Sequence, residues 1–197
     1  ISLISWQGYL FHELKKYESA EKSYREAINC YEIKYGHTNK DVAWPLENLA
    51  VLKLGNGELI EADSLYKEAI NITEHVFGKA SYNYAEILYN SARVFRQTGA
   101  MEKCHSIKIE ALQIQAKLAK KNTADYGDIM YKFGQVYFDM GEFGKSEECY
   151  LNALSLREKL YGKLNDDYGQ VANSLGLLYF QLGNPTKAEQ LLTQSFE

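Results

Sequence analysis

Apolar and polar positions follow a helical beat along the whole chain, broken at regular intervals by glycine. Met130, Phe133, Gly134 and Tyr137 keep the i, i+3, i+4, i+7 spacing of one helix face. Past Gly141 a second amphipathic run carries Ser146, Tyr150, Ala153, Leu154 and Leu160. The glycine between them falls where a left-handed helix terminus needs a residue without Cβ. Strand-type alternation is absent, so the pattern predicts an all-α fold.

The breaks are periodic. Gly57, Gly99, Gly141 and Gly183 stand 42 residues apart. Small residues hold the same period at Gly8, Ala50, Ala92, Gly134 and Gly176, and again at Ala20, Ala62, Cys104, Ser146 and Ala188. Large apolar residues do so at Leu10, Leu52, Val94, Val136 and Leu178, and at Ile28, Ile70, Leu112, Leu154 and Phe196. Self-similarity at a fixed period of this length marks a repeat architecture. Each unit reads as a helix, a tight turn, a longer helix and a loop. First helices are predicted over roughly 1–14, 41–55, 83–97, 125–139 and 167–181. Second helices are predicted over roughly 17–35, 58–77, 100–120, 142–161 and 184–196, the last opened by Asn184 as N-cap with Pro185 at the first helical position. One hairpin cannot bury its own apolar face, but a stack of them can. The chain is therefore read as one solenoid domain of five repeats, 1–40, 41–82, 83–124, 125–166 and 167–197, with ten helices.

Composition narrows the function classes. The net charge is −4, with acidic and basic residues interspersed, which argues against a nucleic-acid backbone or an anionic membrane as partner. Cys30, Cys104 and Cys149 form no CxxC pair, so a reducing, cytoplasmic setting is expected over a disulfide framework. The chain opens at Ile1 inside one apolar run and stops at Glu197 inside another, as expected of a fragment of a longer protein. Cut ends would expose apolar hairpin faces and favour self-association. No catalytic residue, cofactor or metal site is read from the sequence. His12, His37, His75 and His105 fall in different registers, no HExxH, GxSxG or phosphate-loop pattern occurs, and the adjacent Glu147 and Glu148 point apart on a helix. Cys104, in a register otherwise held by Ala or Ser, reads as a buried small residue.

Leu175, Gly176, Tyr179, Gly183 and Ala188, with Phe133, Gly134, Tyr137, Gly141, Tyr150 and Ala153, resemble the signature of the tetratricopeptide repeat family. The 42-residue period, longer than the usual 34, resembles the repeat of kinesin light chains and of bacterial multi-repeat proteins, some of which end in a CHAT-type protease domain. Leu46-Glu47-Asn48-Leu49-Ala50 is similar to a segment of that subgroup. The third unit departs most, with Lys108 in place of the aromatic and Ala119-Lys120-Lys121 in place of the aromatic-glycine loop start, so its second helix is expected to pack less tightly.

The resemblance implies a right-handed α-solenoid whose first helices line a concave groove for a peptide, and hence a non-catalytic protein-interaction scaffold. A sensory arm of a larger protein carrying a protease or kinase domain is the alternative. The stripe next to the core stripe of each first helix would face the groove, giving Asn48; Tyr89, Asn90, Arg93 and Arg96; Tyr131, Lys132 and Gln135; and Asn173 as candidate ligand contacts. An amide at Asn48 or Asn90 can donate to and accept from a peptide backbone, or can instead fasten adjacent helices. Arg93 and Arg96, one turn apart, with Lys132 would favour a partner bearing acidic groups.

Overall fold

The computed structural model describes residues 2–194, apart from the side chains at 192 and 194. Among the described residues there are ten α-helices, one 3-10 turn and no strand. They are α1 (Ser2–Glu13), α2 (Tyr17–Tyr35), α3 (Ala43–Gly55), α4 (Leu59–Phe77), α5 (Tyr82–Gln97), α6 (Met101–Leu118), α7 (Ala124–Asp139), α8 (Phe143–Tyr161), α9 (Asp166–Gln181) and α10 (Pro185–Gln194). The 3-10 turn, Lys40–Val42, leads into α3. All ten helices lie where the periodicity placed them, and every end that falls within the described residues agrees within about two residues. The expected start at residue 1 and the expected end at residue 196 lie outside them. Phe196, assigned to an apolar register, lies outside the described residues.

The chain forms two compact units, Ile1–Ala111 and Leu112–Glu197. In the first, hairpin α1–α2 packs on α3–α4, and α4 packs on α5. Its core runs through Tyr24, Leu46, Leu49, Leu52, Tyr66, Ile72 and Val94. In the second, α7–α8 packs on α9–α10 around Tyr150, Leu154, Tyr168, Val171, Leu175 and Leu178.

Local chemistry sets the helix ends. Ser81 and Thr123 accept from the backbone N–H three residues on, and Asn39 and Asn165 from the N–H two residues on. These four N-caps keep the 42-residue period, a register that the apolar pattern does not reveal. Asn184 caps α10 through the Lys187 N–H, ahead of Pro185. The turn glycines Gly57, Gly99, Gly141 and Gly183 all have φ between 71° and 80°. In the first hairpin Lys15 takes this conformation at φ 57°, and after α6 Asn122 does so at φ 69°.

The small-residue register is where paired helices cross. A Cβ on Gly134 would stand 2.5 Å from the Tyr150 ring, and one on Gly8 would stand 2.8 Å from the Tyr24 ring. The buried Ser146 hydroxyl donates to the Gly134 carbonyl at 2.8 Å and fastens the same crossing. Two apolar expectations fail. Leu10 is 59 % exposed, whereas its register-mate Leu52 sits inside the core. Leu160, near the end of α8, is exposed as well. In α6, Cys104, Ala111 and Leu112 are fully buried. Lys108 holds its Nζ 5.5 Å from the Tyr89 ring, the register at which Tyr150 meets Tyr131 in the second unit.

Candidate functional site

The first unit holds a cavity of about 540 Å³. Ser2, Ser5 and Trp6 of α1 line it together with Trp44 and Glu47 of α3 and Asn83, Glu86 and Ile87 of α5. Tyr31 of α2 and Thr73 and Phe77 of α4 complete it from behind, with Lys40 and Asp41 at the 3-10 turn. The Trp6 and Trp44 ring centroids are 5.2 Å apart, and Tyr9 stands edge-on to Trp6 at 5.9 Å. Burial raises the Glu47 carboxyl above its ordinary pKa and the nearby Glu86 adds to this, while a hydrogen bond from Asn90 works in the opposite direction.

The residues singled out from sequence divide between the units. In the first, Asn90 Nδ2 donates to Glu47 Oε1 at 2.6 Å, tying α5 to α3. Asn48 turns its amide onto its own helix, donating to the Trp44 carbonyl at 2.8 Å. Tyr89 is half-buried beside Lys108, whereas Arg93 and Arg96 are exposed along the later turns of α5. In the second unit, Tyr131 meets Ser174 at 3.2 Å, tying α7 to α9 in the register used by Glu47 and Asn90. Lys132 is half-buried, and Gln135 and Asn173 are exposed.

Two buried cations went unread in the sequence. Lys53, 5 % exposed, ends among Glu21, Glu58 and Glu61 at 2.8, 2.9 and 3.3 Å, joining α2, α3 and α4. Arg25 extends this network to Glu61 at 2.5 Å. In later repeats the register of Lys53 is aromatic and the register of Glu61 is lysine. Lys103 lies 4.1 Å from the Phe95 ring, Lys145 5.5 Å from Tyr137, and Lys187 4.9 Å from Tyr179. Arg157, 5 % exposed, donates through one nitrogen to the Asp167 carbonyl at 2.5 Å and to Gln170 Oε1 at 3.3 Å. Its other terminal nitrogen donates to Asp128 at 2.8 Å, and the guanidinium lies 5.1 Å from the Tyr131 ring. The available signal was a break in register, a lone cation where the equivalent positions are uncharged.

Among the described residues one histidine–carboxylate group brings possible metal donors together: Glu32, His37 and Glu68, with ligand atoms within 4.8 Å of one another. Both imidazole nitrogens face a carboxylate, Nδ1 paired with Glu32 and Nε2 3.7 Å from Glu68. That geometry favours a charged imidazolium between two acids. No helix among the described residues is long and apolar enough to cross a membrane.

The sequence matches the model of the tetratricopeptide repeat over residues 2–75, 41–117 and 125–197. No curated relative matches the chain. Among solved structures, BtubC from P. vanneervenii superposes with a TM-score of 0.81 at 24 % identity, over 98 % of this chain and 76 % of that one. A putative kinesin light chain with nearly identical repeats from Podosopora anserina also gives 0.81, at 14 % identity, over 98 % and 92 %. The apo form of RapI gives 0.77 at 14 % identity, over 98 % and 68 %. At these identities the likeness is one of fold.

Proposed function

The chain belongs to the tetratricopeptide repeat family, and on that premise we propose that it is a non-catalytic scaffold that holds a segment of a partner protein on its first helices. The cavity of the first unit carries this reading. It is a concave, aromatic-walled space with several polar groups converging on it, the usual form of a binding site. Trp6 and Tyr9 leave rigid aromatic surface exposed beside it, the kind of side chain that dominates protein interfaces.

The exposed pair Arg93 and Arg96 would take acidic groups of the same segment. Asn90, already held by Glu47, would offer its remaining amide capacity, and Asn48 and Tyr89 would border the path. In the second unit Tyr131, Lys132, Gln135 and Asn173 would form the corresponding contact face. The three free cysteines suit a cytoplasmic setting for such a scaffold.

The test is capture of peptides by the full chain from a random array, followed by titration calorimetry. Captured peptides should bind about tenfold more weakly to Arg93→Ala, the effect of losing one charge-assisted hydrogen bond. Asn90→Ala should also weaken them. An array without a single binder, or binders indifferent to both variants, would sink the assignment.

A further inference from the structure

In the second unit the chain fills a space between its first helices with its own arginine. Arg157 reaches from α8 across to α7 and α9, where a carboxylate, a carbonyl, an amide oxygen and an aromatic face receive it. A buried guanidinium is tolerated only when its donors are satisfied in this way. Two repeats earlier the same register holds Thr73, whose hydroxyl folds back onto the Ala69 and Ile70 carbonyls of its own helix. No long side chain enters from α4 at that point, and the cavity lies there instead.

We propose that the cavity of the first unit receives an arginine side chain from a partner protein, in the manner in which Arg157 serves the second unit. The proposal rests on the scaffold reading for the source of that arginine. The chemistry of the receiving groups is retained with two positions exchanged. Where the second unit has Asp128 and Tyr131, the first has Trp44 and Glu47, so a carboxylate and an aromatic face remain but swap helix turns. Gln170 becomes Glu86, which adds a charge, and Asp167 becomes Asn83. Among the described residues the walls carry Asp41, Glu47 and Glu86 against one cation, Lys40, an excess of acid. A cation there would relieve the cost of holding the Glu47 charge out of water next to Glu86.

Arginine fits better than lysine. Its planar fork can meet two carboxylates and stack on an indole together, and it sheds water more readily than an ammonium. About 540 Å³ admits the whole side chain with adjoining backbone. Glu86 and Arg93 are seven residues apart on α5, about 10 Å along the helix at its rise per residue. A partner segment with arginine at one point and an acidic residue a few positions away would match both.

The full chain contains two tryptophans, and both line the cavity. Their indole N–H resonances would be followed while N-acetyl-arginine methylamide is titrated in, with the neutral isostere N-acetyl-citrulline methylamide as the comparison. Saturable shifts at Trp44 are expected with the arginine compound, with binding at least about tenfold weaker for citrulline and for Glu86→Gln. Thr73→Arg should place an internal guanidinium in the cavity and abolish the response. If that variant does not fold, Glu86→Gln, at an exposed position, decides alone. Equal responses to both compounds, or arginine binding indifferent to Glu86→Gln, would overturn the proposal. A captured peptide that binds regardless of Glu86→Gln leaves the scaffold reading standing and removes only the arginine site. Arginine binding without any peptide capture does the reverse.

Discussion

At the scale of single residues, the tightest constraint is the contact of a glycine with a tyrosine ring. Gly134 lies so close to Tyr150 that an added methyl would overlap the ring, and Gly8 and Tyr24 repeat the arrangement. Two effects of Gly134→Ala oppose each other. A mid-helix Gly→Ala change gains about 1 kcal/mol of helix propensity, while overpacking a close crossing costs about 1–3 kcal/mol. Tyr150 is buried and its neighbour Ser146 is pinned to the Gly134 carbonyl, so the ring has little room to yield. A net loss of about 1 kcal/mol is expected in urea unfolding; a variant as stable as the parent would show that the ring moves aside freely. The small residues at this register were legible in the sequence, but the ring responsible for them was not, because it belongs to the other helix of the hairpin. His37 offers a second test. The hydrogen bond to Glu32 raises its pKa, with a smaller contribution from the Glu68 charge. The pair therefore stabilises the fold below the ordinary histidine pKa, and that contribution is lost as pH rises through the folded value. An NMR titration should place the His37 midpoint above about 6.5, and Glu32→Gln should lower it.

At the scale of elements, the register linking a first helix to the helix that follows is filled by two kinds of chemistry. Repeats three to five use an aromatic ring under a lysine, and repeat two uses a buried lysine among acids. Periodicity shows which positions correspond, but it is blind to such a reversal of charge. The burial of Lys53 depends on acids that two other helices bring to it, which the spacing along its own helix does not show. Arg157 was missed for the same reason, since its partners come from α7 and α9, outside its own helix. Lys53→Met keeps the buried stem and removes the charge. Near neutral pH it should lower the thermal midpoint by about 4 °C, since it leaves carboxylates facing one another that are only partly relieved by solvent. The hydrogen bond from Lys53 is the leading cause that holds the Glu21 and Glu58 carboxyls below their ordinary pKa of 4.5. Their contribution is present above that value and is lost as pH falls through the lower folded values. The gap between parent and variant should therefore close as the solution is acidified below about pH 4. A gap that persists there would assign the loss to packing and not to charge.

At the scale of the molecule, a repeat protein is stabilised by each hairpin and by each contact with a neighbour, so its elements need not open together. The burial pattern ranks them. α3 buries eight residues, whereas α1, of nearly equal length, buries Ser5 and Gly8. In the second unit α9 buries seven. Amides of α1 should exchange with deuterium at least about tenfold faster than those of α3, a difference of about 1.4 kcal/mol in opening free energy. Equal protection would mean that the first unit opens as one body. The ranking bears on function because the cavity is walled by α1 as well as by α3 and α5. A ligand that fills it touches Trp6 and Ser5 on the least protected of these helices, and binding to the closed form alone must stabilise that form by mass action. Saturation with N-acetyl-arginine methylamide should therefore slow exchange in α1 more than in α3, and should leave α9 unchanged. Uniform slowing across all helices would place the compound somewhere other than this cavity.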